Sequence, residues 1–179
     1  MDFKEIFQQI SPEEIPGNAF AMAGKELYLI SAGKGPRFNS MVGSGGGWGV
    51  LFQKPSSWCI VRSDRYTLDI IQQERTYTLA YFGPEHREAM MFLGSKSGRD
   101  SEKMKETTLT AIQTPQGGMA FEEARLILQC TLTQMSAIGP EDFYSEETKA
   151  LIKEANREEN THRNYVFGEI TGAWIQKKS

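Results

Sequence analysis

Two arginines, Arg62 and Arg65, flank Asp64 in the stretch CIVRSDRYT, just ahead of a run with helical spacing. A guanidinium is a planar fork of donors that matches a phosphate, and the free N–H groups and dipole at a helix start also favour an anion. The same arginines suit surface ion pairs to Asp64 and Asp69, and residue types alone leave both readings open. A second polar turn, Ser97, Gly98, Arg99 and Asp100, leads into a short helix carrying Lys103. Hydroxyl, glycine and cation together suit a phosphate or a ribityl contact, with an ordinary polar connection between helices as the alternative. Upstream, NSMVGSGGGWGV sets bare backbone where a flat ligand could approach closely, or where a tight ligand-free hairpin could form. It is not a dinucleotide fingerprint: Trp48 and Val50 stand where GxGxxG, counted from Gly43 or Gly45, requires its third glycine. No GK[ST] element closes a phosphate loop.

Other chemistries have thin support. Cys59 and Cys130 lack a CxxC partner and read as two buried thiols, while His86 and His162 are isolated, so no metal site is expected. No G-x-S-x-G elbow accompanies the serines, which argues against a serine nucleophile. Glu169 reads as structural rather than as a general acid or base, and no catalytic side chain is assigned. Trp48, Tyr66, Tyr81, Phe82 and Trp174 offer stacking surfaces, a role that competes with core packing.

The elements that must position these residues are mostly strands. KELYLISAG, GVLFQ, WCIVR and TYTLAYF are short, aromatic or β-branched, and bounded by turn residues or charge. EEARLILQCTLTQM alternates, predicting a dry face of Ala124, Leu126, Leu128, Cys130 and Leu132 opposite a wetter one. NYVFGEITGAWI reads as a late strand, closing the fold over 165–175, with Gly168 and Gly172 as candidate bulges. Three helices are predicted: YTLDIIQQE, PEHREAMMFLG, and a C-terminal one over 145–160 with Leu151, Ile152 and Ala155 on one side. Strands outnumber helices and lack the regular helical spacers of a parallel sheet, so the predicted fold is mainly β, an antiparallel barrel with helical excursions. The 179 residues are read as one domain, 1–179. A formal charge of -3 gives nucleic acid no particular attraction, and no segment approaches the length of a membrane span. The start, MDFKEIFQQI, lacks the form of a secretory signal, so a cytoplasmic protein is expected.

In their order, FNSMVGSGGGWGVLFQKP, CIVRSDRYTLDII, TYTLAYF, REAMMFLGSKSGRDSEKMKE, ILQCTL and HRNYVFGEI resemble the flavin reductase-like family, nearest its flavoredoxin-like branch. The resemblance covers roughly residues 36–172, and R-x-x-R-Y-T followed by S-G-R-D is its most specific part. It implies an FMN-binding split β-barrel, Greek-key-like, with short flanking helices. It also implies homodimers holding FMN near the subunit interface. By residue, Asn39, Met41 and the backbone of Gly43, Gly46, Gly47, Trp48, Gly49 and Val50 would lie along the isoalloxazine. Arg62, Arg65, Tyr66 and Thr67 would hold phosphate and ribityl chain, and Ser97, Gly98, Arg99 and Lys103 would close over the flavin. Where members often carry a threonine and a tryptophan-containing run after the methionine, this chain has Val42 and GSGGGWG, and Asp64 stands where proline is common. The implied activity is flavin reduction by NADH or NADPH, or electron carriage to an unknown acceptor without appreciable turnover. A pyridoxamine-phosphate-oxidase-like barrel and a flavin-free structural or regulatory dimer are more distant alternatives.

Overall fold

The structure, a computed structural model, describes residues 2–156 and 161–177. The chain opens with α1 (Phe3–Ile6), β1 (Phe7–Ile10) and α2 (Ala19–Ala21), then forms two hairpins: β2 (Tyr28–Lys34) with β3 (Arg37–Gly43), and β4 (Gly46–Leu51) with β5 (Lys54–Arg62). After α3 (Tyr66–Glu74), β6 (Thr76–Tyr81), α4 (Arg87–Ser95) and α5 (Lys103–Glu106) comes a small hairpin of β7 (Ala111–Gln113) and β8 (Met119–Phe121). The long strand β9 (Leu126–Ile138), α6 (Glu146–Ala155) and β10 (Arg163–Gln176) complete the order.

Every pairing is antiparallel, and the main sheet runs β3-β2-β6-β9-β10-β5-β4, with β1 also on β10. The spatial order β6-β9-β10-β5 is a Greek-key arrangement. The ladder order ends on β3 and β4, as the open topology of a split barrel does. Register shifts fall between Phe167 and Gly168 and between Ile170 and Gly172, where the sequence predicts bulges. At Gly168 a Cβ would crowd the Tyr77 hydroxyl and Cys130, so the glycine lets β10 bend against a filled interior.

The barrel interior packs Tyr28, Ile30, Val61, Leu79, Leu128 and Val166 among others, with the free thiols Cys59 and Cys130 inside it. A second apolar layer, including Phe7, Leu29, Met90, Leu93, Phe121 and Ile127, covers the other face of the same central strands. This corrects the predicted two-faced β9. Residues Leu126 to Cys130 are all buried, because α4 and the β7–β8 hairpin pack over the face carrying Ile127 and Gln129. Alternation returns only further along, where Thr131 and Thr133 are exposed.

The helix α3 has the predicted bounds. Leu68 and Ile71 face the core, and the helix stops at Arg75, left-handed at φ 58°, whose N–H returns to the Ile71 carbonyl at 2.9 Å. The predicted C-terminal helix is α6, entered at Ser145, whose Oγ accepts from the Thr148 N–H at 3.3 Å. Its expected apolar side is not covered: Leu151 is 60% exposed and Ala155 is exposed. Residues 157–160 of that prediction lie outside the described residues. Among the described residues no helix is long and apolar enough to cross a membrane.

Candidate functional site

Where β3, the start of α3, the end of α4 and the turn after it converge, they enclose a cavity of about 430 Å³. Its volume falls within the usual range for small-molecule sites.

From β3 come Asn39, Met41 and Val42. Asn39 is buried, and its Nδ2 donates to Thr67 Oγ1 at 2.7 Å, tying the strand to the first turn of α3. Gly98 sits directly on the other end of that amide: a Cβ there would overlap Asn39 Oδ1, so any larger residue must push the turn away from β3. From α4 come Met91, Leu93, Gly94 and Ser95. Gly94 allows the helix to approach closely, since a Cβ there would lie 2.9 Å from a Val42 methyl carbon.

The polar wall is built at the start of α3. Arg65 occupies the N-cap position, and no side chain caps the helix. Among the described residues no acceptor meets the N–H of Tyr66 or Thr67, and the Arg65 guanidinium makes no hydrogen bond or close ion pair, its nearby charge on Asp64 acting at longer range. Beside it Lys103 is buried, its Nζ donating to the carbonyls of Leu93 at 2.7 Å and Lys96 at 2.9 Å. Burial, and then the positive charge of Arg65, lower the Lys103 pKa to about 8. Three cations, Arg65, Lys96 and Lys103, thus line one cavity beside an uncapped helix start. Its one lining carboxylate, Asp64, is gripped by Arg62, and Lys96 is engaged by Glu106.

The other predicted residues divide. Arg62 does not line the cavity; it grips Asp64 with two hydrogen bonds, Nε to Oδ1 at 3.0 Å and Nη2 to Oδ2 at 2.5 Å. Partial burial would raise the Asp64 carboxyl, but Arg62, with the further charge of Arg65, holds it below the usual carboxylate range. Arg99 also stays outside and fastens the turn to α3: it donates to the Asp64 carbonyl at 2.7 Å, pairs with Asp69, and lies over the Tyr66 ring at 5.4 Å. Tyr66, Thr67, Ser97, Gly98 and Lys103 all line the cavity.

The glycine run lies elsewhere. Gly43 and the segment Gly46, Gly47, Trp48, Gly49 and Val50 do not line the cavity. Gly43 makes room for the Tyr28 ring, and Gly46, at φ 116°, approaches the Trp58 carbonyl too closely for any side chain. Gly47 lies under the Trp58 ring, Trp48 packs edge-on to Tyr81 at 5.7 Å, and Val50 is 77% exposed. Packing within one chain therefore accounts for Gly43, Gly46 and Gly47, whereas a Cβ at Gly49 would meet nothing within 4 Å. Sequence reasoning missed the end of α4. Its only signal was an amphipathic run in which Met91, on the side away from Met90, still presents a large apolar side chain.

The flavin reductase like domain matches residues 52–178, a span that begins after the glycine run and includes Arg65 and Ser97 to Lys103. The chain belongs to this family. No curated protein matches its sequence at a significant level. Solved structures of flavin reductase relatives share the fold. An FMN-binding protein from Thermus thermophilus with bound 1-cyclohex-2-enone is 15% identical, with a TM-score of 0.66 over 90% of this chain and 75% of that one. A flavoredoxin from Methanosarcina acetivorans is 15% identical, with a TM-score of 0.64 over 95% and 76%. A Streptomyces globisporus NADH:FAD oxidoreductase is 11% identical, with a TM-score of 0.61 over 85% and 78%.

Proposed function

We propose that the cavity binds FMN and that the protein is an oxidoreductase, drawing electrons from NADH or NADPH. The observation that carries this reading is the Arg65 guanidinium at the uncapped start of α3, without a hydrogen-bond or ion-pair partner among the described residues, next to Lys103 and opening on an apolar wall. A phosphate-bearing planar ligand is what such a site fits. Arg65 and the N–H groups of Tyr66 and Thr67 would hold the phosphate. Asn39, Thr67 and Ser97 offer polar atoms to the ribityl chain, and Met41, Val42, Met91 and Gly94 form the surface for the ring. When bound, FMN supplies the hydride chemistry, which asks no nucleophile or metal of the protein. The residues named here bind, orient and partly exclude water from it.

A second reading keeps the same cofactor in an electron carrier without appreciable turnover, as the likeness to a flavoredoxin fold allows. In either case we infer a homodimer; the exposed apolar side chains Val50, Leu51 and Phe52 at the β4–β5 tip support association. The test is a visible spectrum of the protein after incubation with FMN and removal of free ligand, followed by NADH and NADPH oxidation with saturating FMN. Retained flavin bands and oxidation faster than the protein-free control are expected. Bands without that acceleration would leave the carrier, and a colourless protein would overturn the flavin reading.

A further inference from the structure

Lysine is among the residues least often fully buried, yet Lys103 is only 2% exposed. Its ammonium satisfies the carbonyl of Leu93, in the last turn of α4 where intrahelical donors run out, and that of Lys96 just beyond the helix. One side chain from α5 therefore fixes the stretch that forms a wall of the cavity, Leu93 to Gly98. An ammonium has three N–H groups, and among the described residues the third meets no protein acceptor.

Among the described residues no carboxylate pairs with it, although Asp64 lines the same cavity. From α3, Arg65 faces it as a second cation. The Lys96 ammonium is engaged by Glu106, Glu102 by Lys105, and Asp64 by Arg62. On β3, Arg37 lines a neighbouring cavity of about 250 Å³ instead.

We propose that Lys103 is a positioning residue for a phosphate-bearing ligand: it holds the Leu93–Gly98 wall through two main-chain carbonyls, and its charge is thermodynamically linked to occupation of the site beside Arg65 by phosphate. The proposal rests on the flavin reading above. Burial and Arg65 lower the Lys103 pKa to about 8, and a phosphate dianion beside both cations favours the ammonium. By reciprocity, phosphate binds best while Lys103 is protonated and more weakly as pH rises through that value. Without ligand the sign reverses. The folded pKa lies below the unfolded one, so between the two the unfolded chain binds more protons and stability rises with pH.

The test is FMN affinity, read by quenching of flavin fluorescence, for the wild type, Lys103→Arg and Lys103→Met at about pH 7 and about pH 9. Riboflavin serves as the phosphate-free control. Wild-type FMN affinity should fall about tenfold across this range, while riboflavin and Lys103→Arg stay flat. Lys103→Met should bind FMN more weakly and without the pH dependence. A flat wild-type profile, or the same fall in Lys103→Met, would overturn the proposal. If FMN bound at neither pH, the flavin reading would fail on its own, and inorganic phosphate would then serve as probe. Phosphate should raise the unfolding temperature of the wild type at about pH 7 more than at about pH 9. Equal shifts at both pH values, or no shift at either, would reject the linkage.

Discussion

Arg62 and Arg65 are the same residue type three positions apart, and the fold gives them different surroundings. Arg62, the last residue of β5, reaches Asp64, whereas Arg65, at the helix start, is left to face the cavity. Removing Arg65 should therefore remove a charge-assisted contact worth roughly 1.5 to 3 kcal/mol, and Arg65→Ala should weaken FMN binding about ten- to a hundredfold with little change in unfolding temperature. Arg62→Ala should leave FMN affinity within about threefold, because what it loses is a partly exposed ion pair. Fluorescence titration of both variants checks the pair; equal losses would mean that Arg62 also reaches the ligand. Sequence flagged both arginines and could not rank them. The strand end at Arg62 and the helix start at Tyr66 were both legible, but which arginine meets Asp64 depends on side-chain directions that no local pattern encodes.

Among the elements, those whose residues carry their own periodicity or caps were readable. The helix α3, the start of α6 at Ser145 and both bulges of β10 stand where local sequence puts them. The strand β3 was not recognised as one, since Asn39, Ser40 and Gly43 interrupt its apolar pattern; Ser40 and Gly43 are buried against Ser31 and Tyr28 of β2, and Asn39 against Thr67 of α3. The wet face of β9 was misread for a related reason: alternation reports one covered face, and nothing local tells that a later hairpin will cover the other. For the glycine run the structure supplies a specific expectation. Gly46→Val places a β-branched residue at φ 116° against the Trp58 carbonyl, so it should cost about 1 to 3 kcal/mol and lower the unfolding temperature by several degrees. Flavin affinity of the folded fraction should hold. A loss of affinity without a loss of stability would bring the glycines back to the ligand, for instance across a subunit contact.

At the scale of the molecule, the antiparallel architecture and the family were legible because six separated segments kept their order. The cavity was only half legible, since its apolar wall is made by a helix whose packing on β3 no motif encodes. The same sheet shelters both cysteines. Burial pushes both thiols up, Cys130 to about 12 against the opposing pull of the Ser57 and Tyr77 hydroxyls. Neither thiol should react with a thiol-specific reagent at neutral pH in the native protein, and both should react in denaturant. Rapid native labelling would show that the interior opens.

The sheet order has a consequence for how this chain acquires its structure during synthesis. The hairpins β2–β3 and β4–β5 emerge first, yet they lie at opposite ends of the ladder order, which connects them through β6, β9 and β10, and the last two are made late. Pairing of distant segments is slow and carries a loop-closure cost before it yields contacts. A ribosome-stalled chain that exposes residues only up to about the end of β8 should therefore stay protease-sensitive, and protection should appear abruptly once β10 clears the exit tunnel. Until then both early hairpins wait with unpaired edges, a window in which a chaperone would be of use to this protein.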